Sequence, residues 1–427
     1  MDIDDRYQQY LTAGLKLDLT RGKPCPEQLT LSEGLDATIA GDYIAEDGTD
    51  TRNYGGILGI PEARRLGGLL MSLDPSSVMA GGNSSLTLMH QFLAWRSQLW
   101  QDQTPGVTPK FLCVVPGYDR HFTICEQLGI EMLNVGFDDR GPDMQTIEAL
   151  VEANDDIRGI WCVPKHSNPT GHCYHPETVA RLAELPKRSA GDFIVMWDNA
   201  YAVHDLVTNA PPLANVLALA TEAGTQDQIA HFASTSKITF AGAGLAFCGL
   251  SPRSLKAFET FLVPQMIGFD KVNQLRHGRF FRDATSLKSH MEAHQKILLP
   301  KFELVQTKLS DLTRAGLVTR SQPEGGYFVS LDLTRASAKQ VIELAKAAGV
   351  TLTPAGATFP YGLDPQDKNI RIAPSFPDMM ALDQALDVLT CCIAKASTSS
   401  GLPEFYSKRR ITYEKSILCW QPLSLLY

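Results

Sequence analysis

Three side chains that could share one chemical task occur at regular intervals in the middle of the sequence. Asn168 lies in SNPTG, Asp198 in DNAY and Lys237 in STSK, and each ends or follows a short apolar run. The separations are 30 and 39 residues, about one strand–helix–strand crossover each. Because ligands of open α/β sheets bind outside the carboxyl ends of the strands, one crevice could collect all three side chains.

Each of these side chains has a use in the chemistry of an aldehyde cofactor with a pyridine ring. A lysine amine condenses with an aldehyde, and burial lowers its pKa so that it acts as nucleophile and base. A buried aspartate keeps the pyridine nitrogen protonated, which makes the ring an electron sink. Asn168, with a tyrosine such as Tyr201, can donate hydrogen bonds to a phenolic ring oxygen.

A cradle for an anion is predicted where AGGNSSLTLMHQFLAW (80–95) begins a helix. Free backbone N–H groups and the helix dipole favour a phosphate at such a start. The residues placed there are Gly82, Asn83, Ser84 and Ser85. Ser234, three residues before Lys237, could add a hydroxyl. Singly, each motif is more often a helix cap, a turn or a loop lysine, and only the joint order and spacing favour one site.

The composition is typical of a soluble globular protein with two domains. The 427 residues are 44% hydrophobic and 20% charged, and the net charge of −8 argues against a nucleic-acid partner. No apolar run is long enough for a membrane span, and the acidic start MDIDDRYQQYLTAG is unlike a signal peptide. The nine cysteines form no CxxC pair and no metal-like spacing. We therefore expect a cytoplasmic protein with reduced thiols and no metal site.

Short apolar runs alternate with amphipathic stretches in the middle of the chain. This pattern predicts strands of a parallel sheet that are buried on both faces and joined by crossover helices. The predicted strands are FLCVVP (111–116), IRGIWCVP (157–164), FIVMWD (193–198), IAHFAST (229–235) and LAFCGLS (245–251). PETVARLAELPKRS (176–189) is typical of a crossover helix.

The pattern changes after about residue 290. A long helix over 289–316 is followed by a strand-rich piece (325–333), a helix (339–349) and the short strand TLTP (351–354), which predicts a smaller α+β domain. We therefore expect a large domain over 46–290 and a small domain over 291–397, with 1–45 packing on the small domain. Residues 398–427 change composition abruptly and are expected to form a tail of uncertain order.

NPTG, DNAY and S-x-S-K in this order resemble the class I aminotransferases, fold-type I enzymes that depend on pyridoxal 5′-phosphate (PLP). The shared motifs run from Gly22 to Arg371, and the implied fold covers roughly residues 1–397. That fold is α/β, with a large domain on a mostly parallel seven-stranded sheet covered by helices and a smaller α+β domain. LTRGKP, NYGGILGIPEARR and STSKITFAGAG are similar to a bacterial aspartate aminotransferase subgroup called MocR-like.

The resemblance implies a role at the cofactor for each matched residue. Lys237 is implied as the catalytic Schiff-base lysine and proton shuttle, and Asp198 as the partner of the pyridine nitrogen. Tyr201 and Asn168 would contact the phenolic oxygen, and Tyr118 in PGY would stack on the ring. The implied phosphate ligands are Gly82, Asn83, Ser84 and Ser234.

Further matches imply substrate contacts and a second subunit. Arg371 in NIRIAPS matches the arginine that holds the substrate α-carboxylate, for which a bidentate guanidinium is better suited than an amine. Gly22 matches a backbone contact near the substrate, and Asn168 also lies there. Tyr54 matches a tyrosine that reaches the neighbouring subunit's phosphate, which implies a homodimer with sites at the interface.

One position departs from the family pattern. Eight residues after Lys237, where the family has a phosphate-binding arginine, this sequence has Leu245, and no basic residue follows before Arg253. A missing cation weakens phosphate binding unless another group substitutes for it. The sequence alone identifies no replacement.

These residues predict reversible transamination by a ping-pong mechanism, with aspartate or another dicarboxylic amino acid and 2-oxoglutarate favoured. Lys271 and Arg276 are candidate partners for a distal carboxylate, although a solvated basic face is the simpler interpretation. A PLP-dependent lyase and an aminotransferase for aromatic or branched amino acids remain alternatives. A PLP-binding regulator fused to a DNA-binding domain is less favoured, because the short stretch before LTRGKP leaves no room for such a domain.

Overall fold

A computed structural model of the chain describes residues 2–398, so the predicted tail lies outside the described residues except for its first residue. The described part holds fourteen strands. In chain order these are β1 Leu17–Asp18, β2 Val78–Ala80, β3 Lys110–Val114, β4 Glu131–Val135, β5 Phe137–Asp138, β6 Gly141–Pro142, β7 Ile157–Cys162, β8 Ile194–Asp198, β9 Ile229–Ser234, β10 Ala246–Gly249, β11 Val318–Arg320, β12 Val329–Leu333, β13 Val350–Thr351 and β14 Asn369–Ile372.

The same residues form thirteen α-helices. These are α1 Ile3–Thr12, α2 Pro26–Thr30, α3 Pro61–Met71, α4 Ser85–Gln103, α5 Asp119–Gln127, α6 Met144–Ala153, α7 Pro176–Glu184, α8 Val216–Ala223, α9 Pro252–Leu262, α10 Lys271–Phe280, α11 Ala284–Arg314, α12 Ala338–Ala347 and α13 Met379–Thr398. None of the helices in this part of the chain has the length and apolar character needed to cross a membrane.

The largest sheet has seven strands in the order β2–β10–β9–β8–β7–β3–β4. Strands β3, β4, β7, β8 and β9 pair in parallel, whereas β10 is antiparallel to both of its neighbours. The predicted mostly parallel, seven-stranded sheet is therefore confirmed. The five strands predicted from apolar runs are β3, β7, β8, β9 and β10, and β2 and β4 complete the two edges.

Continuous apolar runs form the central strands because both faces of the sheet are covered by helices. Every residue of β7 and β8 is buried. Along β8, Ile194 and Met196 pack into the core on one face, and Val195 and Trp197 pack into the core on the other. This alternation is the two-residue period of a strand, and it fixes which strand ends face the same crevice.

A second, smaller α+β body follows the long helix α11. Strands β11, β12 and β14 form an antiparallel sheet in that order, and α11, α12 and α13 contribute to its apolar core. Helix α11 begins at Ala284, capped by Asp283, whose carboxylate accepts the Ser286 N–H at 2.8 Å. The helix therefore runs without interruption across residues 290–291, where the sequence prediction places a domain boundary.

The N-terminal segment contacts both bodies. β1 pairs in parallel with β13, and the Tyr7 hydroxyl donates to the carbonyl of Leu344 at 3.1 Å, both within the smaller body. Ile39 and Ala45, further along, pack instead in the core that contains α3. The first residues of the segment thus lie against the smaller body, and its last residues lie against the larger body.

Candidate active site

The carboxyl ends of three neighbouring strands bring together the residues that the sequence singles out. Asp198 is the last residue of β8, Lys237 follows the end of β9, and Asn168 follows the end of β7. The Nζ atom of Lys237 lies 4.9 Å from the centroid of the Tyr201 ring. Asn168 is linked to Arg371, whose Nη1 donates to its Oδ1 at 3.2 Å. The three side chains therefore lie at one edge of the sheet, as the order of the strands requires.

Asp198 has one bound oxygen and one free oxygen. Its Oδ2 lies 2.9 Å from Nε2 of His121, and the imidazole is stacked on Trp161 at 4.1 Å and 6° between planes. A carboxylate only accepts hydrogen bonds, so Nε2 of His121 is the donor. Oδ1 of Asp198 is buried with no hydrogen-bond partner among the described residues. A buried, unpaired carboxylate oxygen is costly, and a pyridinium N–H would satisfy it.

His121 is a site residue that the sequence analysis does not identify. It lies three residues after Tyr118 in GYDRH, in the first turn of α5. The sequence feature that could have identified His121 is its position as a titratable residue a few residues after a buried strand. The partner of His121 is 77 residues away in the chain, so only the folded structure shows that the two meet.

Lys237 is set up as a nucleophile by its surroundings. Burial lowers the pKa of its amine, and the nearby charge of Asp198 opposes this shift without cancelling it. A lysine with a lowered pKa is more often neutral near physiological pH, which is the form that attacks an aldehyde. The main chain of the residue is also held, because its carbonyl accepts from the Tyr327 hydroxyl at 3.0 Å.

Two phenols line the same crevice. Tyr118 lies at the N-terminal cap of α5, with its ring edge-on to His121 at 5.0 Å. Burial raises the pKa of Tyr118 and of Tyr201, so both hydroxyls stay protonated and remain able to donate. Tyr118 is thus next to the pair of Asp198 and His121, and Tyr201 is next to Lys237.

Helix α4 begins at Ser85, where the sequence predicts an anion cradle. Ser84 is the cap residue, and its Oγ accepts the N–H of Thr87 at 3.3 Å. Asn83 is tied to the loop after Lys237, since its Nδ2 donates to the carbonyl of Gly242 at 3.2 Å. Ser234 Oγ lies 2.8 Å from the hydroxyl of Ser236.

Ser236 connects the loop before α4 to Ser234. Its hydroxyl reaches the carbonyl of Asn83 at 3.4 Å, and its backbone N–H donates to Ser234 Oγ at 3.0 Å. Ser236 is the second serine of the STSK motif, but its role becomes visible only from these contacts. The cradle therefore combines the dipole of a nineteen-residue helix with hydroxyl groups.

Leu245 is an apolar core residue in the structure, as its sequence suggests. It is 1% exposed and packs in the core that contains α3. The loop before it is closed by Asn273, whose Nδ2 donates to the carbonyls of Ala243 at 3.1 Å and Gly244 at 2.9 Å. Leu245 therefore offers no charged group to the start of α4, and the loop before it is held by an amide.

Arg371 lies in β14 of the smaller body and contacts Asn168. Its guanidinium contacts Asp119 Oδ1 at 3.2 Å and Thr353 Oγ1 at 3.4 Å, while its buried Nε has no hydrogen-bond partner in the described part of the chain. The guanidinium carbon is 4.9 Å from the ring of Phe328. A side chain on Gly22 would meet that ring at 2.5 Å, which explains a glycine there. Gly22 and Arg371 therefore share one wall.

Three of the residues considered from the sequence lie outside this crevice. Tyr54 is 83% exposed on the surface of the chain. Lys271 is buried, and its Nζ donates to the carbonyls of Asn53 at 2.7 Å and Gly55 at 2.6 Å. Arg276 pairs with Asp36 at 2.9 Å. The interpretation of Lys271 as part of a solvated basic face is wrong, because its charge holds the loop that carries Tyr54.

The fold and the crevice together define the chain as a class I, PLP-dependent aminotransferase. A buried lysine of lowered pKa, an unpaired aspartate oxygen and a cradle for an anion fit the aldehyde, the pyridine nitrogen and the phosphate of that cofactor. Within residues 2–398, no group of three His, Cys, Asp or Glu side chains is arranged to hold a metal ion.

The chain belongs to the aspartate aminotransferase family, whose model matches residues 1–402. It is 46% identical over 409 residues to a putative aminotransferase from Mycolicibacterium smegmatis, covering 93% of this chain and 94% of the relative. It is 41% identical to the solved structure of an aspartate transaminase from Corynebacterium glutamicum, with a TM-score of 0.89 and coverage of 93% and 95%. The chain is therefore an aminotransferase.

A more distant structure supports the fold. The α-aminoadipate aminotransferase LysN from Thermus thermophilus, solved with N-(5′-phosphopyridoxyl)-L-leucine, matches with a TM-score of 0.74 at 19% identity. The match covers 93% of this chain and 96% of that structure.

Proposed function

We propose that this aminotransferase moves the amino group of aspartate, or another dicarboxylic amino acid, to 2-oxoglutarate by a ping-pong mechanism. The observation that carries the proposal is one edge of the sheet at which Arg371 contacts Asn168 and the Lys237 amine lies over the Tyr201 ring. The aspartate preference and a place in the MocR-like bacterial subgroup rest on sequence similarity. The relative from Corynebacterium glutamicum is named an aspartate transaminase at 41% identity.

PLP would be held through its three polar ends. The free Oδ1 of Asp198 would accept from the pyridine nitrogen, and the hydrogen bond from His121 keeps the other oxygen in place. Asn168 and Tyr201 are the donors available for the phenolic oxygen. The start of α4, with Gly82 to Ser84, and the hydroxyls of Ser234 and Ser236 would bind the phosphate. When bound, the cofactor supplies an aldehyde and a ring that accepts electrons.

Arg371 and Lys237 then act on the amino acid. The guanidinium binds the α-carboxylate, and the contacts from Asp119 and Asn168 fix its orientation. The free amine of Lys237 would accept the proton from Cα. Burial lowers the pKa of this amine, which favours its neutral, proton-accepting form.

We propose further that the active unit is a homodimer in which Tyr54 reaches the phosphate of a second copy. The large exposed ring of Tyr54 and the charge-anchored loop around it support this. An added phenol would partly offset the arginine missing at Leu245. Sedimentation velocity should give a dimer at micromolar concentration. Tyr54→Phe should weaken PLP binding about tenfold and leave the dimer intact. A monomer with full activity would contradict this part.

The absorption spectrum of purified protein with added PLP tests the central assignment. The wild type should develop a visible band, and borohydride should then fix the cofactor to Lys237, as peptide mass mapping would show. Lys237→Ala should show neither result. Aspartate should bleach the wild-type band, and oxaloacetate should accumulate when 2-oxoglutarate is also present. Bleaching by an aromatic or branched amino acid instead would reject the substrate assignment and leave the lysine assignment intact.

A further inference from the structure

A cluster of reactive side chains lies on the loop that carries Asn168, and transamination does not use it. The Sγ atom of Cys173 is 3.3 Å from Nδ1 of His166. The other ring nitrogen of His166 is 2.8 Å from Oδ1 of Asp205, and Lys165 Nζ donates to the same carboxylate at 2.9 Å. A thiol, a base and a carboxylate that orients the base are therefore arranged in series. This is the arrangement that activates a sulfur nucleophile.

The charges around the sulfur favour a thiolate. Burial of Cys173 raises the pKa of its thiol, but the hydrogen bond and charge of His166 outweigh burial, and the pKa is lowered. Burial lowers the pKa of His166, but Asp205 and Cys173 outweigh it, and the pKa is raised. Lys165 adds a further positive charge near the sulfur. These shifts favour a thiolate–imidazolium pair of Cys173 and His166, the form in which thiols react with oxidants.

Cys173 also differs from the other cysteines in its access to solvent. It is partly exposed, whereas the other seven in the described part of the chain are buried. Burial raises the pKa of Cys113, Cys162 and Cys248, which keeps those thiols protonated and unreactive. Reactivity and access therefore coincide at one sulfur atom.

The sulfur is part of the structure that positions Asn168. Residues 164–174 form a hairpin of two facing segments, in which the Tyr174 N–H donates to the carbonyl of Pro164 at 2.8 Å. Between the two segments, the backbone N–H of His166 donates to Cys173 Sγ at 3.4 Å. Asn168 is at the tip of this hairpin, where it meets Arg371. A chemical change at the sulfur therefore acts directly on the segment of the hairpin that runs from His166 to Asn168.

The hairpin has little room to absorb such a change. A side chain on Gly325 would lie 2.2 Å from Nε2 of His166, so the imidazole is packed against the backbone of the smaller body. Asp205, the carboxylate partner of His166, forms an isolated antiparallel bridge with the same glycine. Movement of His166 would therefore be transmitted to Asn168 and to the segment that leads into Tyr327.

We propose that Cys173 is a redox modification site at which hydrogen peroxide forms a sulfenic acid and thereby reversibly lowers aminotransferase activity. The thiolate sulfur attacks one peroxide oxygen, so an S–O bond forms as the O–O bond breaks. The departing hydroxide takes the proton of the His166 imidazolium and leaves as water. Sulfur loses two electrons and the peroxide gains them. A dithiol reverses the change by releasing the oxygen as water and closing to a disulfide.

Labelling of the full-length holoenzyme tests the site. Hydrogen peroxide is added with dimedone, which traps sulfenic acids, and peptides are mapped by mass spectrometry. We expect the adduct on Cys173 before any of the seven buried cysteines. Mapping also distinguishes Cys419, which lies outside the described residues. An adduct that forms first on any other cysteine would overturn the proposal. Because this readout does not use activity, it stands apart from the test of the proposed function.

Activity after peroxide alone tests the coupling to Asn168, expressed as the ratio of treated to untreated enzyme. The wild type should lose activity in step with labelling and regain it with dithiothreitol. Cys173→Ser should resist, and Cys391→Ser, a buried cysteine on α13, should respond like the wild type. His166→Asn, chosen because asparagine tolerates the positive φ of 48°, should react roughly tenfold more slowly. Full activity with Cys173 fully labelled, or equal loss in Cys173→Ser, would refute the coupling.

Discussion

Behind the main chain of Lys237 lies a buried polar network that joins distant parts of the fold. The Tyr327 hydroxyl donates to the Lys237 carbonyl at 3.0 Å and accepts from Gln28 Nε2 at 2.8 Å. The same amide lies 2.9 Å from Nδ1 of His294, and His290 follows at 3.1 Å. His290 Nε2 is in turn 2.8 Å from the carbonyl of the residue after Lys237. The carbonyls of Lys237 and Ile238 are thus held by side chains from separate parts of the chain.

Replacing Tyr327 by phenylalanine should loosen this support. The Lys237 carbonyl would lose its closest donor and Gln28 one of its acceptors, so we expect the free energy of unfolding to fall by about 1–3 kcal/mol. Because the backbone of the lysine would gain freedom, kcat should fall several-fold with little change in KM. Urea unfolding and steady-state kinetics on aspartate measure the two effects.

Tyr7→Phe is the matched control for that change. Tyr7 is also a buried tyrosine whose hydroxyl donates to a backbone carbonyl, that of Leu344 at 3.1 Å, but it is far from Lys237. The Tyr7→Phe variant should lose a similar free energy of unfolding and keep the wild-type kcat. Equal kcat in both variants would show that Tyr327 has only a structural role.

Site residues that belong to a sequence motif can be identified from the sequence. Site residues that are defined only by a contact in the folded structure cannot. Lys237, Asp198 and Asn168 stand in recognisable order after apolar runs, so their convergence is predictable. His121 and Tyr327 stand in no such pattern, and their partners are 77 and 90 residues away. Which polar groups meet across such distances is decided by packing, which local spacing does not encode.

Among the elements, the hairpin over 164–174 is sensitive to a change at its tip. Gly171 has a φ of +72°, and a side chain there would lie 2.3 Å from Cβ of Pro323. Gly171→Ala should therefore combine backbone strain with a clash and cost about 2–4 kcal/mol of stability. The displaced tip should move Asn168 and lower kcat/KM about tenfold or more. Thermal or urea unfolding and kinetics check both.

Gly129→Ala separates the strain from the clash. Gly129 has a similar φ of +68°, but a Cβ added there would meet no atom of the described residues within 4 Å beyond its own chain neighbours. The substitution should cost about 1 kcal/mol from the left-handed backbone alone and leave kcat/KM unchanged. If the two variants behave alike, contact between the hairpin tip and Pro323 does not position Asn168.

Element type is predictable where a run is long and apolar, and less so where it is short. The five central strands follow from their buried runs, whereas β2 has three residues and β4 has two exposed positions in five. Neither offers a period that distinguishes it from a loop. The sequence prediction starts α11 too late, at 289, because the first turn is polar, although Asp283 and Ser286 form a capping box there.

Over the whole molecule, folding keeps several histidines neutral. Burial lowers the pKa of His231 to about 3 and the pKa of His277 and His294 to about 4 from the ordinary 6.5. In the unfolded chain these side chains take up protons as the pH falls below about 6.5, and in the folded chain they do not. The unfolded state then binds more protons, so stability is full above that pH and is lost as the pH falls.

His231 offers the clearest test of this linkage, because neither of its ring nitrogens has a hydrogen-bond partner among the described residues. Between about pH 8 and about pH 5, its shift should account for about 2 kcal/mol of the lost free energy of unfolding. His231→Leu fills the same core space without a titrating group. Its unfolding free energy should therefore differ between the two pH values by about 2 kcal/mol less than that of the wild type.

Phe232→Leu, at the next position of β9, is the control, because it alters a buried packing position of the same strand without changing proton uptake. It should lower stability by a similar amount at both pH values and keep the full wild-type difference between them. Urea unfolding of the three proteins at each pH measures all six free energies. A wild-type pH difference retained in His231→Leu would mean that His231 takes up its proton in the folded state, through an opening of the sheet that the buried strand does not suggest.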